Sequence, residues 1–305
     1  MDNRRDFLKK IAVGSAVASV GGISILSCNA ANTSNGKKRN DVALNISFQE
    51  GIAPGESLNE KFDYMEKLGI TGFEPWGGGL AGRVQEIKDA LKNRNIKVSA
   101  ICAGFDGWLL AENSEDKQKC INSSKEILAA AGELGAAGMI LVPGFNGQRP
   151  SFPHTAETRR NLVNDLKELG AYAHSHGTSI ILEPLNRREA FYLRLVADAA
   201  ALCKDIDSPG VTCLGDFWHM TWEETSDMGA ILSGGKYISH MHIASRKNRL
   251  MPGEDGEADN YIDGFKGLKY INYQGFVSFE CSTKGKREET VPAAVNLMRE
   301  QWEQA

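Results

Sequence analysis

Ser179-Ile-Ile-Leu-Glu-Pro-Leu-Asn-Arg187 is an apolar run that ends abruptly in a carboxylate, a proline and two polar side chains. Short apolar runs bounded by turn residues read as buried strands. Three later runs end in the same manner: Val211-Thr-Cys-Leu-Gly-Asp216, Tyr237-Ile-Ser-His-Met-His242 and Gly275-Phe-Val-Ser-Phe-Glu280. If the four strands lie parallel and side by side, Glu183, Asp216, His242 and Glu280 converge on one point.

Upstream of this region the same alternation is visible. Strands are expected over 42–47, 72–76, 97–102 and 138–143, with helices over 58–68, 83–94, 112–134 and 155–176. Gly69, Gly135 and Gly177 stand where those helices should stop. Downstream, helices are expected over 195–203, 225–232, 263–271 and 291–304. The polar, glycine-containing stretch 244–264 reads as a loop crossing the site or a mobile lid. Eight strand and helix alternations in about 260 residues predict a single (β/α)8 TIM barrel, an α/β fold of typically ~250 residues. An open doubly wound sheet would be expected to carry a Gly-x-Gly-x-x-Gly turn after its first strand, and none is present.

The chain has 305 residues, 42% hydrophobic and 24% charged, an ordinary globular composition. A net charge of -4 offers no polycation for nucleic acid. Residues 1–28 read as a targeting segment: paired Arg4-Arg5 in a basic start, then an apolar run rich in small residues. The pattern resembles a twin-arginine signal. Ile25-Leu-Ser-Cys28 also resembles a bacterial lipobox, which makes Cys28 a candidate lipid anchor. Residues 29–41 read as a flexible tether and 42–305 as the folded domain. These features predict an exported protein, periplasmic or anchored to a membrane facing the periplasm. Six cysteines occur without a Cys-x-x-Cys pair, against a thiolate zinc site.

In a TIM barrel the C-terminal strand ends face a common mouth. Three carboxylates and an imidazole gathered there repel unless a cation sits among them. The oxygen-rich set favours Mn²⁺, Mg²⁺ or Co²⁺, with Zn²⁺ a further option.

Beyond that geometry, the sequence resembles the xylose isomerase-like barrels, in particular the sugar phosphate isomerase/epimerase and ketose 3-epimerase branch. The marks are Glu183-Pro-Leu-Asn-Arg187, Asp216-Phe-Trp-His219, His240-Met-His242, Asn248-Arg-Leu-Met-Pro-Gly253 and Phe279-Glu280. The resemblance implies that Glu183, Asp216, His242 and Glu280 are metal ligands and that Glu183 and Glu280 are also the catalytic acid and base. It implies that His219 and Arg249 hold substrate oxygens. One additional residue between His242 and Asn248 makes Arg246 a competitor for the role of Arg249. Trp108 and Glu74 are further candidate substrate contacts, each with packing or a salt bridge as the plain alternative. His240 is read as facing away from His242 in a regular strand, in packing or in support of a ligand. Asn186 and Arg187 are candidate supports for Glu183.

The expected function is a metal-dependent sugar isomerase or epimerase that removes a proton α to a carbonyl through an enediolate. The partner is a small sugar or keto sugar, with no nucleic acid, and an oligomer is compatible with the sequence. The main rival is a 3-keto-glycoside lyase that removes the C2 proton at the same metal site. A non-catalytic sugar-binding lipoprotein and an endonuclease IV-like enzyme are the remaining alternatives.

Overall fold

In the computed structural model, which describes residues 42–305, the strands are β1 (Asn45–Gln49), β2 (Gly72–Glu74), β3 (Lys97–Val98), β4 (Met139–Leu141), β5 (Ile180–Leu182), β6 (Val211–Asp216), β7 (Ile238–Ile243) and β8 (Phe276–Phe279). All pairings are parallel, in the order β3-β2-β1-β8-β7-β6-β5-β4. The two ends of that order meet through residues just beyond β3. Ile101 donates to the Gly138 carbonyl at 2.8 Å and accepts from the Ile140 amide at 2.9 Å. The sheet is therefore curled, with helices outside it, as in a TIM barrel.

The helices are α1 (Leu58–Lys67), α2 (Val84–Leu91), α3 (Ser114–Glu133), α4 (Ala156–Ser175), α5 (Val196–Ile206), α6 (Phe217–Glu223), α7 (Asp227–Gly234), α8 (Ile262–Tyr270) and α9 (Arg287–Gln304). Their starts are chemically marked. Ser57 and Glu60 form a reciprocal capping box on α1, Asn113 caps α3 and Thr155 caps α4. At the far end of α4, Gly177 takes φ 73, a left-handed conformation that glycine adopts without steric cost.

Two apolar layers follow from the alternation of side chains along strands. Phe48, Phe73, Met139, Leu141, Cys213, Val277 and Phe279 belong to the main core shared with the helices. Ala100, Ile140, Ile181 and Leu214 form a separate cluster, the barrel interior. Residues two further along these strands point the same way, so Glu183 and Asp216 face inward at the next level up.

Several sequence expectations shift. The third strand, expected over 97–102, pairs regularly only at Lys97–Val98 and continues as isolated bridges. The first begins at Asn45, where pairing with Phe276 starts. Helix α6 was not anticipated. The stretch 244–264 is a tied loop. Asp255 accepts from Ser245 Oγ at 2.6 Å and from the Lys247 and Asn248 amides at 2.8 and 2.9 Å. Asp259 accepts from the amides of Arg246 and Gly253, each at 2.7 Å.

The targeting segment, the tether and the candidate anchor Cys28 lie outside the described residues. Among the described residues, no helix is long and apolar enough to cross a membrane, and all five cysteines are free thiols.

Candidate active site

Asp216 and His242 meet because of one irregularity between β6 and β7. Cys213 is level with Ile238, but Leu214 is level with His240, so the register slips by one residue between β6 and β7. Without that bulge Asp216 would stand level with Met241, and the histidines would face the helices. With it, Asp216 stands beside His242. Both histidines then share the inward face of Leu214 and Asp216. This corrects the expectation for His240: residues two apart on a strand lie on one face, and the rings of His240 and His242 have centroids 5.2 Å apart.

Glu183, Asp216, His242 and Glu280 each offer one ligand atom, all within 4.8 Å of one another. His242 Nδ1 lies 2.9 Å from Glu280 Oε2 and 3.3 Å from Glu183 Oε1. Asp216 is divided. Its Oδ1 accepts from the Trp218 amide at 2.8 Å, capping α6, while its Oδ2 is buried without a hydrogen-bond partner. The Arg249 guanidinium approaches Oδ2 at 3.5 Å, but a buried carboxylate oxygen that makes no hydrogen bond is still costly. Facing three other donors it fits a hard divalent cation that takes oxygen and imidazole ligands. Glu74, His240 and His242 form a second cluster of donor atoms that shares His242 with the first.

Burial pushes the Glu183 carboxyl above its usual range, and the nearby charge of Glu280 adds to this against His242. Glu280 goes the other way. Burial opposes ionisation, but the charge and hydrogen bond of His242, with Arg249, bring it down to about 2. Glu280 is also the more open of the two, its side chain 22% exposed against 8% for Glu183.

His219 sits one helical turn after Asp216 on α6. Its Nδ1 faces two donors of Asn186, the backbone amide at 3.0 Å and the side-chain nitrogen at 2.9 Å. Nδ1 must accept, which leaves the proton on Nε2. That Nε2 is buried without a hydrogen-bond partner, 3.5 Å from Asp216 Oδ2. Asn186, expected to support Glu183, holds His219 instead. Arg187, expected in the same role, points to solvent and pairs with Glu223.

Arg249 and Arg246 part company. The Arg249 guanidinium reaches Glu280 Oε2 at 2.6 Å and lies 4.5 Å from the centre of the Trp218 ring. Arg246 turns away, pairing with Asp227 and donating to the Phe217 carbonyl at 2.8 Å. Trp108 is half-buried near Gly144, just past β4, with its indole nitrogen unpartnered.

Glu74, read as a substrate contact, is fully buried. Its oxygens are taken by His240 Nε2 at 2.8 Å, His242 Nε2 at 3.0 Å and Gln49 Nε2 at 2.9 Å. Gln49 and His240 are the two participants that sequence reasoning missed or misplaced.

A curled parallel barrel with carboxylates and a histidine at its C-terminal mouth defines a class, and residues 62–301 match the xylose isomerase-like TIM barrel family. The chain belongs to that family. It is 34% identical to a 3-dehydro-D-guloside 4-epimerase of Escherichia coli, over 74% of this chain and 87% of the relative. It is 26% identical to an L-ribulose 3-epimerase of Methylomonas, over 72% of this chain and 73% of that protein. Among solved structures, a 3-keto-D-glucoside 4-epimerase from E. coli superposes with a TM-score of 0.73 at 28% identity, covering 85% of this chain and 99% of that one.

Proposed function

We propose that this carbohydrate isomerase/epimerase removes a proton from the carbon beside a keto group and returns it on the opposite face, through an enediolate. The observation that carries the reading is the convergence of four donor atoms within 4.8 Å, with Asp216 Oδ2 buried, making no hydrogen bond and only a 3.5 Å ion-pair approach to Arg249. Glu183, Asp216, His242 and Glu280 are the residues that would hold a divalent ion, Mn²⁺, Mg²⁺ or Co²⁺ in preference to softer metals. Such an ion supplies positive charge where the enediolate oxygens become negative.

The chain's own groups divide the remaining work. A proton α to a carbonyl is too weakly acidic to leave unaided, so a carboxylate held against it must take it and a second group must return one. Glu183 and Glu280, on different strands, serve as that pair. The Nε2–H of His219 donates to a substrate oxygen, a role its lack of a protein partner supports. Arg249 places a cation at the mouth beside Glu280 and, stacked on Trp218, orients the sugar. The Trp108 indole N–H offers a further donor to a hydroxyl.

For the substrate we favour a keto sugar carried on a glycoside, because the relative with 34% identity over most of its length is named for a 3-dehydro-glycoside. Free ketoses are the second class, from the relative named as a ribulose epimerase. Incubating the Mn²⁺-loaded protein with 3-keto-glucosides and with free ketoses, and assigning products by NMR, tests the reading. An epimer of either class supports it. Release of the aglycone would mark elimination instead, and no product in either panel would reject it.

A further inference from the structure

The second cluster shares His242 with the first, and its geometry differs. Glu74, His240 and His242 are all fully buried. Glu74 comes from β2, which is separated from β7 by β1 and β8 in the sheet. Its side chain therefore crosses the barrel interior to reach two histidines on a strand it does not pair with. There it accepts from both rings through their Nε2 atoms, at 2.8 Å from His240 and 3.0 Å from His242. A third donor, Gln49 Nε2 at 2.9 Å, holds the same oxygen that faces His242. Gln49 is level with Glu74 in the β1–β2 ladder, so the ladder itself fixes that contact.

An imidazole has two nitrogens, and the partner of one decides what the other can do. His242 gives Nε2 to Glu74 and turns Nδ1 toward Glu183 and Glu280. With Nε2–H donating to Glu74, Nδ1 is the nitrogen left facing the two glutamates, and it is the one that would turn a lone pair to an ion held there. His240 and Gln49 keep the Glu74 carboxylate from rotating away. The second cluster is thus occupied by its own hydrogen bonds, and three N–H donors around one carboxylate leave little reason for a second cation.

We infer that Glu74 is a positioning residue, clamped by His240 and Gln49, that fixes the tautomer and orientation of His242 so that Nδ1 serves as the metal ligand. The inference rests on the metal-dependent reading above and adds a specific requirement to it. Buried partners of this type typically contribute ~10–100-fold in metal affinity.

The test is a titration of Mn²⁺ into the folded protein, followed by the electron paramagnetic resonance signal of the free ion, which gives affinity and stoichiometry together. The native chain should bind one ion. Glu74→Gln keeps the shape but offers one acceptor where there were two, and should bind Mn²⁺ about 10-fold more weakly. Glu74→Ala should lie near the 100-fold end of that range. If the alanine variant fails to fold, the isosteric glutamine variant still decides. His240→Gln leaves the Glu74–His242 contact in place and should weaken binding less than either. At saturating Mn²⁺ much of the kcat lost by Glu74→Gln should return, because Glu74 acts through His242 and makes no contact with substrate in this reading. A merely structural role would lower the melting temperature while the folded fraction kept its native affinity, and unchanged affinity in both Glu74 variants overturns the inference. Two ions bound by the native chain and one by Glu74→Gln would make Glu74 a ligand and also overturn it. No ion bound by the native chain would reject the metal-dependent reading itself and this inference with it.

Discussion

Asp216 Oδ2 and His219 Nε2 lie 3.5 Å apart, one turn of helix between them, and neither has a hydrogen-bond partner among the described residues. The same aspartate closes the strand and caps the helix, so one residue sets both the oxygen that faces the donor cluster and the position of the imidazole. Such a pair makes sense if each atom is reserved for something that arrives. His219→Ala should lower kcat/KM by ~5–30-fold, the cost of about one to two kcal/mol of lost hydrogen bonding. Its Mn²⁺ stoichiometry should stay native. Steady-state kinetics with parallel metal analysis checks this, and loss of the metal together with activity would show that His219 supports the ligand set instead.

Arg246 and Asp227 form an ion pair with side chains only 9% and 14% exposed. Removing one partner strands the other in the interior. Arg246→Met should therefore cost about 3–5 kcal/mol of stability, and Arg246→Met with Asp227→Leu should recover a substantial part. Urea unfolding at neutral pH reads both values. A single variant as stable as the native chain would mean the pair is not buried in solution.

Asp255 gives a pH dependence with a definite sign. Partial burial works against its ionisation, but hydrogen bonds from Ser245, Asn248 and the Lys247 and Asn248 amides bring the carboxyl down to about 2 from 3.8. A carboxyl depressed in the folded state contributes its full stabilisation above the unfolded value and loses it as pH falls through the folded one. Amides 245–250 should lose hydrogen-exchange protection between about pH 4 and pH 2. Asp255→Asn should show weakened protection at neutral pH and no further step in that window. Uniform protection down to pH 2 would contradict the tied-loop description.

The sequence made the barrel and the four mouth residues legible for a simple reason. An apolar run such as Ile180-Ile-Leu182 followed by Glu183 carries both the strand and its polar end in adjacent letters. Glu74 carried no such message. Its partners His240 and His242 are 166 and 168 residues away, on a strand that β2 does not pair with, so only the closed barrel brings them together. The side-chain period of two was sufficient to place His240 on the face of His242, and the expectation failed by misapplying it. What the period could not provide was the bulge at Cys213/Leu214 that turns that face inward. Helix α6 escaped notice because seven residues are too few for a helical period to show, although Asp216 two residues before Trp218 is a cap signal. The two arginines were indistinguishable by spacing, and the loop path separates them, with Arg246 drawn to Asp227 and Arg249 to Glu280.

The central claim is that Glu183 and Glu280 move a proton at a carbon beside a carbonyl. The most direct measurement is mass-spectrometric analysis of a keto sugar recovered from D₂O after incubation with Mn²⁺-loaded protein, alongside Glu183→Gln and Glu280→Gln. The native protein should place one solvent deuterium on the carbon next to the carbonyl, and each variant should slow that incorporation by ~10²–10⁴-fold. Epimer formed by the native protein without any deuterium, or incorporation at the native rate in both variants, would contradict the account.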